Sequence, residues 1–372
     1  MSLFNLRGEL NSKQSVLFGI IGFIVLIAIW WAIAEAKAVD VPVGYQKSVY
    51  PSSLNADANI LALIDSLATA DSLAIVNATQ FEKKYPIIPN PAIVVTALPE
   101  MVKEDKLLEN TGLSIWRNVQ GYIWAILISI PLGFVIGLFP FFKGMFSKPI
   151  DAMRFLPLTA LTGVFMLAFG TQEKMKVTFL AFGIIVYLLP LVVQRIKEVN
   201  DVYLKTTFTL GASDWQTIKT VYIPSVMSKL IDDIRVLTAI SWTYIIIAEL
   251  LNKEGGIGAL MFNAGRQSQS QKVFAGLIVI IFVGFVQDYI FVYLEKRLFP
   301  YKHYPNAISG MTESQAGIYG FMGALVILVV LALVAPIFTS GIMMYSWIVF
   351  VACLVFIALG EFKIFRTLSA AK

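Results

Sequence analysis

Long apolar runs with few charges constrain this chain more than any other feature of its sequence. The runs lie near residues 15–36, 115–138, 150–170, 176–195, 230–251, 272–294, 317–338 and 342–360. A helix needs roughly 20 apolar residues to cross a bilayer, so we expect an all-α polytopic membrane protein with about eight transmembrane helices. The third run contains Pro157 and Gly163, which a spanning helix tolerates only where neighbouring groups satisfy the freed backbone.

The composition agrees with this interpretation. The chain has 372 residues, of which 58% are hydrophobic and 14% are charged, whereas soluble domains are about 45–50% apolar and about 25% charged. One cysteine, Cys353, and one histidine, His303, exclude an intrachain disulfide, a thiolate metal site and a histidine-based metal cluster or triad. A metal site and a cofactor enzyme are therefore not expected, and the charge pattern indicates no nucleic-acid partner.

Basic residues indicate the orientation in the membrane, because Lys and Arg in short loops stay cytoplasmic. The basic residues that fall on one side are Arg7, Lys13, Lys143, Lys148, Arg195, Lys197, Lys205, Lys219, Lys229, Lys296, Arg297, Lys302, Lys363, Arg366 and Lys372. The segment from Lys37 to Leu113, with nine acidic and six basic residues, lies on the other side. We therefore expect both termini in the cytoplasm. Ala36-Lys37-Ala38 resembles a signal-peptidase site, but the long apolar stretch before it favours an uncleaved anchor.

Four regions follow from this topology: residues 1–36 with the first span, an extracytoplasmic insert at 37–113, a core at 114–300, and an extension at 301–372 with two further spans. In the insert, Ile60, Leu61, Ile64, Leu67 and Ala68 have helical spacing, which predicts an amphipathic helix. The prolines that follow, Pro86, Pro89, Pro91 and Pro99, predict an extended or turning chain. The insert is either a small cap or a docking site for a partner.

The loop at 199–229 has the most informative local pattern. Ser213 and Gln216 have the spacing of a capping box, and we expect the helix that begins there to end at Pro224, which lacks a donor. Gly211 permits a sharp reversal after the preceding helical stretch, so the loop is predicted to form a helical hairpin. Its apolar face either contacts a partner or packs on the protein's own helices, and its members are Ala212, Trp215, Ile218 and Tyr222.

This loop resembles the EAA loop of ABC-importer permeases, which reads Glu-Ala-Ala, three residues, Gly, nine residues, Ile-x-Leu-Pro. The frame here begins with Lys205-Thr206-Thr207 in place of Glu-Ala-Ala, and continues through Leu210-Gly211 to Tyr222-Ile223-Pro224. Further matches point to the nitrate, sulfonate, taurine and bicarbonate branch: Pro89-Asn90-Pro91, Ser114, Arg117, Gly121, Ala125, Phe169-Gly170, Glu173, Lys176, Arg235, Trp242, Glu249, Gly256-Ile257-Gly258, Gly284, Asp288, Leu294-Glu295 and Arg297. Asp233 stands where the family has Gly.

The resemblance implies a six-helix permease core in a bacterial inner membrane, here followed by two extra helices. It also implies three kinds of partner: a second permease copy, cytoplasmic ABC ATPase subunits that receive the 199–229 loop, and an extracytoplasmic substrate-binding protein. The binding protein would deliver a small anion such as nitrate, a sulfonate, taurine or bicarbonate. ATP and Mg²⁺ are expected in the ATPase and no cofactor in this chain, which contains no Gly-Lys dipeptide and hence no Walker A loop.

Four residues within the predicted spans are candidates for the translocation path. They are Pro157, Trp242, Glu249 and Asp288. An ionisable residue at membrane depth is a functional candidate by default, although Glu249 has the alternative structural role of bonding to the turn at Gly255–Gly258. Asp232 and Arg235 are three residues apart and are expected to pair on one helical face.

Two other classes of function stay open at this stage. A secondary transporter or channel would need intramembrane charge relays or inverted repeats, for which Glu249 and Asp288 are the few candidates. A non-transporting membrane scaffold or assembly protein built on a permease-like core is the second alternative, and the altered Lys205-Thr206-Thr207 favours it.

Overall fold

The structure is a computed structural model that describes residues 11–42, 58–76, 80–251, 254–304, 309–334 and 339–370. The parts of the insert at 43–57 and 77–79, residues 335–338 of the seventh predicted span, and Arg7 and Lys372 lie outside the described residues. The chain divides into two compact units, the first formed by Met1–Lys106 and Met261–Leu277 and the second by Leu107–Leu260 and Ile278–Lys372.

The first unit combines one apolar helix with a small mixed segment. Its elements in chain order are α1 (Ser12–Ala36), β1 (Val39–Pro42), α2 (Ala58–Val76), β2 (Phe81–Lys84) and α3 (Pro91–Lys103). The two strands pair antiparallel, with Val39 opposite Lys84 and Pro42 opposite Phe81. The amphipathic helix predicted in the insert is confirmed as α2, in which Ile64 and Leu67 are half-buried and Asp65 is exposed.

The prediction of an extended chain through the insert prolines is wrong for α3. Asn90 caps this helix by accepting a hydrogen bond from the Ala92 amide at 2.9 Å, and Pro91 takes the first helical position, where its missing N–H has no helical partner to lose. Pro99 lies inside the helix. An N-cap followed by proline is itself a helix-start signal, and the sequence interpretation overlooked it.

The second unit contains the remaining helices. They begin with α4 (Leu107–Leu138), α5 (Pro140–Met153), α6 (Leu158–Phe169), α7 (Glu173–Lys197), α8 (Asp201–Thr209), α9 (Asp214–Thr217), a π-helix (Ile218–Tyr222) and α10 (Ile223–Leu251). After these come α11 (Ile257–Arg266) and α12 (Ser270–Leu298), each divided between the two units, then a 3₁₀ turn (Pro300–Lys302), α13 (Met311–Val334) and α14 (Thr339–Ala370).

Seven helical segments among the described residues are long and apolar enough to cross a membrane: Lys13–Ala36, Leu107–Leu138, Glu173–Lys197, Asp214–Leu251, Ser270–Leu298, Met311–Ala332 and Ser346–Thr367. The third predicted span, at 150–170, is not one helix, because α5 and α6 meet at an angle of 104°. Pro157 occupies the N-cap of α6, so the break falls at Pro157 and not at Gly163. Counted as one broken span, the pair brings the total to the eight that the sequence predicts.

Small residues let α4 and α7 pack closely. A β-carbon added at Gly121 would lie 2.6 Å from Leu180, and one added at Gly133 would lie 2.5 Å from Val192. Since real β-carbons essentially never approach so closely, only glycine fits at these two positions. Close packing of backbones through small residues is typical of membrane helices, where lipid supplies no hydrophobic driving force between them.

The described part of the extension at 301–372 contains the two predicted helices, α13 and α14, which pack against each other. Gly317 of α13 faces Ile357 and the Cys353 carbonyl of α14. The Arg297 guanidinium at the end of α12 donates to the two carboxylate oxygens of Glu361 at 2.6 Å each. A bidentate pair of this kind fixes α14 against α12 in a defined orientation.

Candidate functional site

The predicted hairpin is present and lies between α7 and α10. Asn200 caps α8 by accepting from the Val202 amide at 2.9 Å, and Gly211 ends the turn with a φ of +71°. In this left-handed region a residue with a β-carbon is strained, which explains the glycine. Ser213 and Gln216 form the predicted capping box, with the Ser213 amide donating to Gln216 Oε1 at 2.8 Å and the Gln216 amide donating to Ser213 Oγ at 3.3 Å.

The prediction that the helix ends at Pro224 is wrong. The π-helix after α9 leads directly into α10, so that one helical run extends from Asp214 to Leu251. A proline inside an α-helix removes one hydrogen bond and clashes with the carbonyl four residues before it. Here the chain widens locally, and the Ile223 amide donates to the Ile218 carbonyl five residues back, which is the bonding pattern of a π-bulge. The hairpin is therefore continuous with α10, the helix that contains the predicted span at 230–251.

The hairpin exposes large apolar side chains. Phe208 is 69% exposed, Leu210 is 79% exposed and Trp215 is 68% exposed. The other members of the predicted face, Ala212, Ile218 and Tyr222, are half-buried, so they are partly covered by the chain itself. The face therefore divides into an exposed part around Trp215 and a part that packs on the chain itself.

The segment that replaces Glu-Ala-Ala lies on α8. Lys205 is exposed, Thr206 donates from its hydroxyl to the Val202 carbonyl at 2.8 Å, and Thr207 donates to the Leu204 carbonyl at 2.8 Å. Both threonines are thus satisfied by their own helix, and the basic side chain of Lys205 extends from the hairpin.

An ion-pair cluster holds the base of the hairpin. Arg195 in the last turn of α7 donates to the two Asp233 oxygens of α10 at 2.7 Å each and to Glu198 at 2.6 Å. The hydrogen bond from Arg195, aided by Gln194 and by the charge of Lys229, holds the pKa of Glu198 below its ordinary value against the opposing effect of burial. Asp233 stands where the permease pattern has Gly, and its ion pair with Arg195 joins α7 to α10 next to the hairpin.

A second cluster of charges is buried around Arg117 of α4. Its guanidinium donates to Glu249 Oε1 of α10 at 2.8 Å, to Glu173 Oε2 of α7 at 2.7 Å and again to the second Glu173 oxygen. It also donates to the backbone carbonyls of Gly255 at 3.0 Å and Glu254 at 3.1 Å. The side chains of Arg117 and Glu249 are 1% and 0% exposed. Every donor direction of the guanidinium is therefore used, as burial of a charge requires.

The cluster is electrically neutral. Lys176 of α7 is fully buried and donates to Glu173 Oε1 at 3.2 Å, so two cations, Arg117 and Lys176, face two carboxylates, Glu173 and Glu249. A balanced and fully hydrogen-bonded set of charges avoids most of the cost of leaving any single charge unpaired in a low-dielectric interior.

The turn after α10 closes on the same cluster. The Gly256 amide donates to Asn110 Oδ1 at 2.8 Å, the Ile257 amide to Ser114 Oγ at 3.0 Å, and the Gly258 amide to Glu249 Oε2 at 2.9 Å. Gly256 has a φ of +104°, and a β-carbon there would collide with the Glu249 carboxylate. The predicted bond between Glu249 and this turn is therefore present.

The other candidate path residues are separated. Trp242 is buried and donates from its indole nitrogen to Gln287 Oε1 of α12 at 3.2 Å. Asp288 accepts two hydrogen bonds from the Arg235 guanidinium, and this bidentate ion pair joins α12 to α10. Pro157 lies exposed at the start of α6.

The predicted pair of Asp232 with Arg235 is not formed, since Lys302 donates to Asp232 at 3.2 Å instead. Residues three apart on one helix could meet, but each of these side chains finds a partner on a neighbouring element.

The sequence interpretation found Ser114, Arg117, Glu173 and Lys176 as motif residues without joining them to Glu249. Charged and hydroxyl side chains within three separate apolar runs were the available signal, because buried charges in a membrane must find partners. Which of them meet depends on how α4, α7 and α10 pack, and helical spacing within one run carries no information on that.

Comparison with known proteins agrees with this architecture. Residues 129–300 match the family described as binding-protein-dependent transport system inner membrane component. The chain is similar to SsuC of Bacillus subtilis (strain 168), named for the transport of aliphatic sulfonates, with 25% identity over 72% of this chain and 94% of the relative. It is also similar to the taurine transport system permease protein TauC of Escherichia coli (strain K12), with 25% identity over 56% of this chain and 76% of the relative.

A third relative is the nitrate import permease protein NrtB of Synechococcus elongatus (strain ATCC 33912 / PCC 7942 / FACHB-805), which is 24% identical over 50% of this chain and 68% of its own length. These three relatives, the matched family and the polytopic helical fold agree with one another. The chain is an ABC-importer permease, a multi-pass transport subunit of the branch that contains the sulfonate, taurine and nitrate permeases.

Proposed function

We propose that this permease imports a small anion, that two copies form the pathway, and that the 201–217 hairpin receives the force of a cytoplasmic ATPase. The observation that carries the proposal is the exposed apolar surface of the hairpin, formed by Phe208, Leu210 and Trp215. Clustered apolar side chains on an exposed segment mark an interaction site. We expect this surface to dock into a groove of the ATPase subunit.

The local structure of the hairpin suits a docking element. Its first helix, α8, has nine residues, and a helix this short is marginal in water. The Asn200 cap and the Gly211 turn hold α8 in place, and the Ser213 capping box starts the helical run that continues from α9 into α10. A preorganised surface loses little conformational entropy on binding, which raises its affinity for a partner.

Continuity of the hairpin with α10 gives a route for the mechanical step. A displacement of α9 would move the helical run from Asp214 to Leu251 as one element, and the Arg195–Asp233 pair would carry the movement to α7. Transport is coupled only if the nucleotide states of the ATPase favour different membrane conformations. The pair at the base of the hairpin is the connection through which this preference would act.

ATP and Mg²⁺ would be bound by the partner ATPase, and an extracytoplasmic binding protein would deliver the substrate. Lys205 places a positive charge where the family pattern has Glu, so we expect an acidic residue at the facing position of the ATPase. The substrate class follows from the relatives, which are named for sulfonates, taurine and nitrate. Each of these carries a small oxyanion group.

Replacement of Trp215 by Ala tests the docking surface. The tagged protein is purified in detergent from its native membranes, and the amount of ABC ATPase that co-purifies is measured. Removing a central aromatic anchor from an interface costs about 2 kcal/mol or more, so we expect recovery of the ATPase to fall at least about tenfold. Uptake of taurine, a sulfonate or nitrate into proteoliposomes should fall with it.

Trp347→Ala is the matched control, because Trp347 of α14 is also 68% exposed and lies outside the hairpin. It should leave ATPase recovery and uptake unchanged. Full recovery and normal substrate-stimulated ATP hydrolysis in Trp215→Ala would contradict the proposal. Recovery of other membrane proteins with no ATPase from the unaltered chain would favour the scaffold alternative.

A further inference from the structure

A small polar cavity lies between α5 and the last turns of α7, next to the ion-pair cluster at the base of the hairpin. Its volume is about 150 Å³. Ile150 and Val193 form an apolar part of its wall, and Ile150 is packed in a cluster with Ile136 and Leu189. The polar part consists of Ser147 and Asp151 of α5, Arg154 directly after α5, and Gln194 and Lys197 of α7. Gln194 donates to Glu198 at 2.9 Å, and the other four residues have no part in the proposed transport mechanism.

Two polar atoms at this cavity lack hydrogen-bond partners. Ser147 Oγ and Arg154 Nε are both shielded from solvent, and neither has a partner within the described part of the chain. Buried polar groups in native proteins are nearly always satisfied, since leaving one unpaired costs free energy comparable to a lost hydrogen bond. Both groups are hydrogen-bond donors, so an acceptor bound in the cavity would satisfy them.

The charge of the lining selects an anion. Arg154 and Lys197 contribute +2 and Asp151 contributes −1, so the lining carries a net charge of +1. Asp151 meets only one guanidinium nitrogen of Arg154, at 3.3 Å, and its side chain is 64% exposed. An exposed pair of this geometry contributes little and leaves the Arg154 Nε available. A net charge of +1 matches a phosphodiester, which carries a single negative charge.

The surface of α5 indicates where such a group would come from. Phe141 is 74% exposed and Met145 is 58% exposed, while Phe142 and Phe146 are also exposed. Lys148 lies exposed on the same helix. Aromatic and apolar side chains next to lysines are typical of a helix in the plane of the membrane interface. Phospholipid phosphates occupy the same depth, and their acyl chains would contact the exposed rings.

We propose that this cavity binds the phosphate group of a membrane phospholipid. The phosphate oxygens would accept from Ser147 Oγ and Arg154 Nε and pair with Lys197, and the acyl chains would lie along the aromatic side of α5. The bound lipid would join α5 to α7 next to the base of the hairpin. This site is independent of the proposed ATPase contact.

The test uses the full-length protein, purified in detergent, stripped of lipid and mixed with phosphatidylglycerol, phosphatidylethanolamine and phosphatidylcholine, with bound lipid counted by native mass spectrometry. A parallel arm replaces the lipids with inorganic phosphate and records the melting temperature. We expect Arg154→Gln and Ser147→Ala to lose bound phospholipid about tenfold, the effect of losing one charge-assisted hydrogen bond. Lys148→Gln, which removes the same charge from α5 outside the cavity, should bind as the wild type does.

The two sources of phosphate give different results. Lipid retained by the wild type and lost in both cavity variants supports the phospholipid. Stabilisation of the wild type alone by inorganic phosphate, with lipid binding equal in all variants, would assign the cavity to free phosphate and overturn the lipid proposal. Equal lipid binding without a phosphate effect, or an equal loss in Lys148→Gln, would also overturn it, since surface charge would then explain the binding. Ser147→Ala removes only a hydroxyl, so it tests the site even if Arg154→Gln fails to fold.

Discussion

The buried charge cluster around Arg117 and the exposed hairpin around Trp215 both reverse the usual distribution of residues. In the cluster, four charged side chains meet between α4, α7 and α10, and Arg117, Lys176 and Glu249 are fully buried. In the hairpin, aromatic and aliphatic side chains are exposed on a short segment between two spans. The first region removes polar groups from water, and the second leaves apolar groups uncovered.

The difference lies in where each region finds its partners. Every donor of Arg117 has an acceptor within the chain, on α7, on α10 or on the turn that follows α10. The apolar side chains of the hairpin have no comparable cover in the chain's described part, with Leu210 79% exposed. The cluster therefore finds its partners within the core, whereas the hairpin leaves an apolar surface for the ATPase contact that we propose.

The largest effect is expected from Arg117→Met. This change leaves Glu249 as an uncompensated buried charge beside Glu173, and breaking one side of a buried ion pair costs about 3–5 kcal/mol. We expect a large fall in the melting temperature of the detergent-purified protein and in its yield from membranes. Lys84→Gln is the control, because Lys84 and Glu82 form an exposed pair at 3.3 Å, and its loss should cost less than about 1 kcal/mol.

A double variant sharpens this prediction. Arg117→Met with Glu249→Gln removes one charge of each sign, so part of the lost stability should return. An equal melting temperature for the wild type and Arg117→Met would mean that the cluster is not a stabilising element, and the contrast with the hairpin would fail.

Gly211→Ala should have an intermediate effect that is confined to coupling. With φ at +71°, a β-carbon costs about 1–2 kcal/mol, which shifts the hairpin away from the conformation that docks. We expect the protein to reach the membrane at its normal level and transport rates in proteoliposomes to fall several-fold. Gly163→Ala is the matched control, because neither glycine has an atom within 4 Å of an added β-carbon and only Gly211 has the positive φ. Equal transport by the two variants would contradict the role assigned to the turn.

Local sequence signals predicted the hairpin well because its structure depends on neighbours in the chain. The Ser213 capping box and the reversal at Gly211 require only a few adjacent residues. The continuation through Pro224 could not be predicted in this way. The π-turn that accommodates this proline is stabilised by the long helix after it, and such a turn leaves no mark in a short window of sequence.

The buried cluster was predictable only in its parts. Arg117 and Glu173 were identified as motif residues and Glu249 as a charge within an apolar run, but their pairing depends on the packing of α4, α7 and α10. The mistaken pairing of Asp232 with Arg235 has the same origin. Spacing along one helix shows which side chains can meet, while tertiary contacts to Lys302 and Asp288 decide which do.

The smallest effect concerns the ion pair at the base of the hairpin. A hydrogen bond from Arg195 lowers the pKa of Glu198 below its ordinary value, so the folded protein holds the charged carboxylate more strongly than the unfolded chain does. This stabilisation is complete above the unfolded pKa of about 4.3 and is lost as the pH falls through the lower folded pKa. Because Glu198 and Arg195 are 33% and 25% exposed, the contribution should not exceed about 1 kcal/mol.

The measurement is the difference in melting temperature between the wild type and Glu198→Gln at several pH values. We expect the wild type to be slightly more stable near neutral pH and the difference to vanish once the pH falls below the lowered folded pKa of Glu198, since the protonated carboxyl and the amide are then both neutral. A difference that persists at low pH would mean that Glu198 acts by packing and not by charge. The base of the hairpin would then be part of the packed core, like the cluster around Arg117. The docking region would in that case begin only near Gly211.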